Sequence, residues 1–208
     1  MSLSLVTAPA VEPVSLAEAK LHLRVDIDDE NDLIDTLITA AREYVETFTH
    51  RALITQTYDL KLDDFPTSWS STGRDLEQVS EGAIWLCPPP VSSVTSITYV
   101  DTNGATQTWS AALYTTDLPA GPKARPGRVL PAFSQWYPVM RSVANAVTVR
   151  FVAGYGATGA TVPNALKAAM KLLIGNWWLN REAGQIVRGS ADVLPFGIDA
   201  LLWPFKAF

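Results

Sequence analysis

The apolar period of this chain changes twice, and that change limits the folds open to it. From Glu30 to His50, Leu33, Ile34, Leu37, Ile38, Ala41, Val45 and Phe48 recur at three- and four-residue steps, as one buried stripe of a helix requires. In ITQTYDLKLDDF the period falls to two. There Tyr58, Leu60 and Leu62 alternate with Thr57, Asp59 and Lys61, the pattern of a strand with one buried face. After Gly154-Tyr155-Gly156 the helical period returns through Leu166, Ala169, Met170, Leu173 and Trp177. Helix, sheet, helix in that order predicts an α+β protein, an α-helical body with an inserted antiparallel β-module, in which the last helix packs back on the first two.

Local signals place the elements. Ser15-Leu16-Ala17-Glu18 has the form of a capping box, so a short helix is expected over 15 to 23. Asp26-Ile27-Asp28-Asp29 ends it and offers a new N-cap, with acids where a helix dipole favours them. In the β zone, AIWLC is stopped by Pro88-Pro89-Pro90, which cannot donate to a ladder, and VTSITYV and ATQTW form a hairpin across Asp101-Thr102-Asn103-Gly104. LYTT, GRVL and NAVTVRFVAGY bring the expected strands to six or seven, with surface loops over 66 to 82 and 117 to 127. Pro163 suits the first turn of a long C-terminal helix that runs to Glu182. The expected division is a helical part over 1–52, a β-module over 53–154, the C-terminal helix over 155–184 and an apolar tail over 185–208.

That last helix, in KAAMKLLIGNWWLNREAG, carries two apolar rows. Neighbouring residues on a helix point about 100° apart, so Trp177 and Trp178 cannot share one narrow stripe. Trp177 is expected in the intramolecular core, whereas Ile174, Trp178 and Arg181 form a second row that faces the sheet or an adjacent subunit. The tail, with Val193, Leu194, Phe196, Ile198, Leu201, Leu202, Trp203 and Phe205, is too apolar to lie in water and too short to make its own core. It either docks on a partner or folds back onto its own chain, and the docking reading is adopted.

Composition excludes several function classes. At 208 residues and 48% apolar the chain can bury a real core, and 18% charged residues leave surface for copies of itself to cover. A formal charge of −5 and a pI near 5.0 argue against tight wrapping of nucleic acid, though not against a channel through which DNA passes. The lone Cys87 allows no internal disulfide and reads as a small core residue. The N-terminus lacks signal-peptide character, and Lys167 and Lys171 interrupt the most apolar run before it could span a membrane. His22 and His50 have no partners at metal-ligand spacing. The acids Asp26, Asp28, Asp29, Glu30 and Asp32 lack the glycine and terminal glutamate of a calcium loop, and GYGATGA lacks the ending of a phosphate loop. Trp69, Trp109, Trp136 and Tyr137 lie at loops or strand ends, where aromatics stack on sugars or, more plainly, fill cores and interfaces. No nucleophile, base and orienter assemble, so catalysis and cofactors are not expected.

Taken together, PVSLAEAKLHLRVDIDDENDLIDTLITAAREYVETFTHRALITQTYDL, LCPPPVSSVTSITYVDTNG, NAVTVRFVAGYG, VPNALKAAMKLLIGNWWLNREA and the closing LPFGIDALLWPFK resemble the head-to-tail connector, or adaptor, proteins of long-tailed phages and of phage-derived gene transfer agents. The resemblance implies a virion structural protein that is assembled in the host cytoplasm into a ring, typically dodecameric, at the particle neck. Such a ring lies below the portal, extends the DNA channel and carries a stopper or tail-terminator protein, while the free chain can be monomeric. It also implies that the C-terminal segment engages the portal, a role that falls here to Leu194, Pro195, Phe196, Leu201, Leu202, Trp203 and Phe205. The rival reading is a β-module that binds a carbohydrate.

Overall fold

The computed structural model describes residues 1–66, 82–181 and 196–207. They form helices and antiparallel sheets, a mixed α+β fold, in two compact units. The β unit comprises Met1–Ala8, Gln56–Ala120 and Ala124–Ala153. The helical unit comprises Pro9–Thr55, Gly121–Lys123 and Gly154–Phe208.

The β unit contains a five-stranded and a three-stranded sheet. Its strands are β1 (Ser2–Thr7), β2 (Gln56–Leu62), β3 (Ile84–Leu86), β4 (Val91–Val100), β5 (Thr106–Thr108), β6 (Tyr114–Asp117), β7 (Gly127–Pro131) and β8 (Val147–Ala153). The larger sheet runs β1-β2-β8-β4-β5 and the smaller β3-β7-β6, every pairing antiparallel. Strand β8 sits mid-sheet, and its alternation buries Val147, Val149, Phe151 and Ala153 on one face. On the other face, Arg150 directly opposes Asp59 of β2 and grips both its carboxylate oxygens at 2.8 Å. The expected β4–β5 hairpin forms, and Asp101 Oδ1 accepts the N–H groups of Asn103 and Ala105 at its turn.

Two expectations fail in this unit. Residues 2–7, assigned by sequence to the helical part, are an edge strand on β2 whose six residues are all exposed, so they carry no burial pattern to read. Cys87, expected in the core, is exposed, because Ile84 and Leu86 take the inward positions of β3 and the alternation puts Cys87 on the outer face with Trp85.

The helical unit contains α1 (Leu16–Leu23), α2 (Asn31–Thr49), α3 (Asn164–Leu179) and α4 (Phe196–Leu202), the last continued by a 3₁₀ turn over Trp203–Phe205. The capping box forms as expected: Ser15 Oγ accepts the Glu18 N–H at 3.2 Å, and the Glu18 carboxylate accepts the Ser15 N–H at 3.1 Å. The acids before α2 behave differently. Glu30 is the N-cap and makes no side-chain capping bond, while Asp28 accepts from Lys20 Nζ at 2.6 Å and from Asn31 at 3.3 Å. Asp28 therefore joins the end of α1 to the start of α2.

Arg42 on α2 is nearly buried and lies between Glu12 and Glu46, each at 2.9 Å. Glu12 also accepts from Thr39, and Glu46 accepts the Leu53 N–H at 2.8 Å, so the cluster ties the segment before α1 and the segment after α2 to one guanidinium. Beyond it, Gly154 has a φ of +130°, and a Cβ there would run into the Ile54 carbonyl and lie 2.6 Å from Thr55 N. The glycines after β8 serve this close approach, with Tyr155 N–H on Leu53 O and Thr55 N–H on Gly156 O, rather than a phosphate.

Removing Arg42 leaves two carboxylates facing each other with little water. Arg42→Met is expected to destabilise the helical unit by about 3 kcal/mol in denaturant titration. Glu18 gives a pH signature. The Lys167 ammonium at 2.9 Å, then the Ser15 N–H, hold its carboxyl down at about 2 from an ordinary 4.5. Because the folded value is the depressed one, its contribution is fully present above 4.5 and is lost as pH falls to about 2. Glu18→Gln should melt lower than the parent by up to about 1 kcal/mol at neutral pH, the scale of a half-exposed ion pair, because Gln can still accept the Ser15 N–H. The gap should close over that acid window in paired thermal melts.

Candidate docking surfaces

Most of helix α3's apolar surface is covered inside the helical unit, Leu172 and Leu179 remaining exposed. Leu166, Ala169, Met170, Leu173 and Ile174 are all fully buried there, in one core with Ile34, Ile38, Ala41 and Val45 of α2. Ile174, expected at a subunit or module interface, is thus a core residue and no part of a free surface. Trp177 and Trp178 both lie half-buried against this core, and Trp177 meets the Tyr44 ring edge-on at 6.2 Å. Trp178 carries the Arg181 guanidinium over its ring at 4.4 Å, and Arg181 reaches Glu30 at 2.8 Å. The second row is therefore a stack of core, ring and ion pair, with Arg181 as its exposed rim.

The tail also finds a home in its own unit. Helix α4 packs on α3 and α2, and Ile198, Leu202 and Phe205, spaced i, i+4, i+7, are buried in the helical core. Leu201 is half-buried against the same core. Backbone bonds fasten the end: Arg51 Nε donates to the Phe205 carbonyl, and the Ala207 N–H donates to Thr49 O at 2.8 Å. Trp203, in contrast, is 60% exposed beside Lys206, whose ammonium lies 5.4 Å from the ring centroid.

In the β unit the segment between β7 and β8 holds a second exposed apolar group. Tyr137 turns inward, stacks on Phe65 at 4.8 Å, approaches Trp109 and donates its hydroxyl hydrogen to the Gly82 carbonyl. Burial pushes that phenol up to about 12. Phe133, Trp136 and Val139 turn outward and are 97%, 84% and 81% exposed. Sequence reasoning singled out Trp136 but missed Phe133 and Val139, whose exposure no periodicity signals. Trp109 is buried, so it and Tyr137 are committed to a core and leave no paired platform for a sugar. Trp69 lies outside the described residues.

Among the described residues no three His, Cys, Asp or Glu side chains gather in metal-binding reach. His22 and His50 are exposed at helix ends. No helix among the described residues is long and apolar enough to cross a membrane.

Residues 13–82 match the family model of phage gp6-like head-tail connector proteins. The match spans α1, α2 and β2, and it bears out the resemblance read from the sequence. Three solved structures extend the likeness to the whole chain. One chain from the virion of a native gene transfer agent particle is 25% identical, with a TM-score of 0.75, covering 100% of this chain and 96% of that one. A chain from the neck of an empty particle of this kind, computed with C6 symmetry, is 24% identical with a TM-score of 0.75 and the same coverage. A third, from the neck of a native particle computed with C12 symmetry, is 22% identical with a TM-score of 0.71, again covering 100% and 96%. Among curated proteins, none matches the chain in sequence.

The connector likeness pointed to seven portal-docking residues, and the structure sorts them by burial. Leu194 and Pro195 lie outside the described residues, and Phe196 opens α4. Leu202 and Phe205 are buried in the helical unit and Leu201 partly so; of the seven, Trp203 alone among those with described side chains is largely exposed. The expectation that the tail lacks a home in its own subunit is thus corrected, because the i, i+4, i+7 face completes the cover over α3. Leu202→Ala should accordingly cost about 2–4 kcal/mol in denaturant titration, the penalty of a cavity in a closed core. A tail that merely waits for a partner would lose almost nothing.

Proposed function

We propose that this chain is a structural head-to-tail connector, not an enzyme. Copies of it, twelve in the completed neck, form a ring below the portal that extends the DNA channel and seats a stopper or tail-terminator protein on its far side. Assembly takes place in the host cytoplasm, and the free chain stays monomeric until portal is present. The observation that carries this reading is end-to-end likeness to a chain of the gene transfer agent virion, joined to a connector-family match over residues 13–82. The acidic balance of −5 is in keeping with DNA that slides past rather than binds. Portal docking falls to Trp203 and to the 194–196 segment, while Ile198, Leu202 and Phe205 hold the docking helix in place.

Deleting the gene in cells that make the whole particle should leave DNA-filled heads without tails, seen by electron microscopy. Trp203→Ala should lower the yield of joined particles at least about tenfold, as loss of an exposed aromatic anchor does, with the thermal midpoint unmoved. Tailed, infectious or transducing particles from the deletion strain would end the connector reading.

A further inference from the structure

A closed ring of identical subunits needs two different patches on each copy, one to meet the neighbour ahead and one to meet the neighbour behind. The first candidate is the segment between β7 and β8. Its exposure is not looseness, for the chain is fixed on both sides of the outward residues: the Ala132 N–H donates to Leu113 O at 2.9 Å, Tyr137 is locked in the aromatic cluster, and the Arg141 N–H donates to Val100 O at 3.0 Å. Phe133, Trp136 and Val139 are therefore held out in water by a braced segment. The segment itself, residues 132–146, carries Arg141 and no acid. Arg141 is exposed and makes no ion pair among the described residues.

The corner between α1 and α2 has the opposite character. Leu21, Ile27 and Leu33 are exposed there, interleaved with acids. Asp28 pairs with Lys20 and Glu30 with Arg181, but Asp26, Asp29, Asp32 and Asp35 are exposed without an ion pair among the described residues. One patch is apolar with an unpaired arginine, and the other is apolar with unpaired aspartates. Such complementarity steers association and fixes which face meets which, and the apolar residues supply the burial.

We propose that these two patches meet between neighbouring copies in the ring, the Phe133-Trp136-Val139 segment of one copy seating on the α1–α2 corner of the next. This rests on the connector reading and adds to it which surfaces close the ring. The test uses particles in a Cys87→Ser background carrying Trp136→Cys and Ile27→Cys in the same chain. Mild oxidation of isolated necks should give a ladder of covalent multimers on a non-reducing gel, at least about tenfold stronger than either single-cysteine variant. Necks that contain the doubly substituted chain yet give no ladder overturn this interface and leave the connector reading standing. Should that variant fail to enter necks that the parent enters, a charge exchange decides. Arg141→Asp and Asp29→Arg should each abolish incorporation and together restore it, and an absence of restoration overturns the proposal. A parent chain absent from purified necks overturns both readings.

Discussion

Helix α3 is apolar over more than one stripe, and such a helix persists in water only if it is covered from several sides. The helical unit is the solution to that demand. Its α2 covers one side with Ile34, Ile38, Ala41 and Val45, and α4 closes another with Ile198 and Leu202. Glu18, at the start of α1, reaches Lys167 and Lys171 on α3 at 2.9 and 3.5 Å. Exposed ion pairs of this kind contribute less than the burial they flank, so apolar cover decides the arrangement and the charges set its register. Tail and body are in this sense one piece: the residues that look spare in the sequence complete the core of the helix that needs them.

How much of this was legible depended on whether the deciding force was local. The capping box at Ser15 and Glu18 and the β4–β5 turn at Asp101 are short-range hydrogen-bond devices, and the pattern of residues contains them whole. Strand β1 was not legible, since an edge strand exposed on both faces is held by its ladder to β2 and has no reason to alternate. The tail was half legible. The spacing of Ile198, Leu202 and Phe205 marks one helical face, but the same face fits an internal groove or a partner, and only the unfilled side of α3 decides between them. Ile174 was misassigned for the matching reason: the core that buries it includes Ile198 and Leu202, more than twenty residues further on.

For function, the consequence is a division of labour along the chain. Apolar residues that satisfy α3 are withdrawn from docking, which leaves a smaller and better defined outer set. Trp203 on the terminal turn and Phe133, Trp136 and Val139 on the braced β-unit segment are large, exposed and held by ordered backbone. Side chains of that size in water are a liability to a solitary protein and an asset to a component of an assembly. If the chain joins head to tail, as proposed, such surfaces have a use.

The central physical claim is that the terminal helix belongs to the core of its own subunit before any partner arrives. Native-state amide hydrogen exchange on the free chain tests it most directly. The account predicts that the amides of Leu201, Leu202 and Ala207 open with the same free energy as those of Leu173 and Ile174 on α3. Exchange of the terminal amides at the rate of an unfolded chain, with α3 still protected, would contradict it.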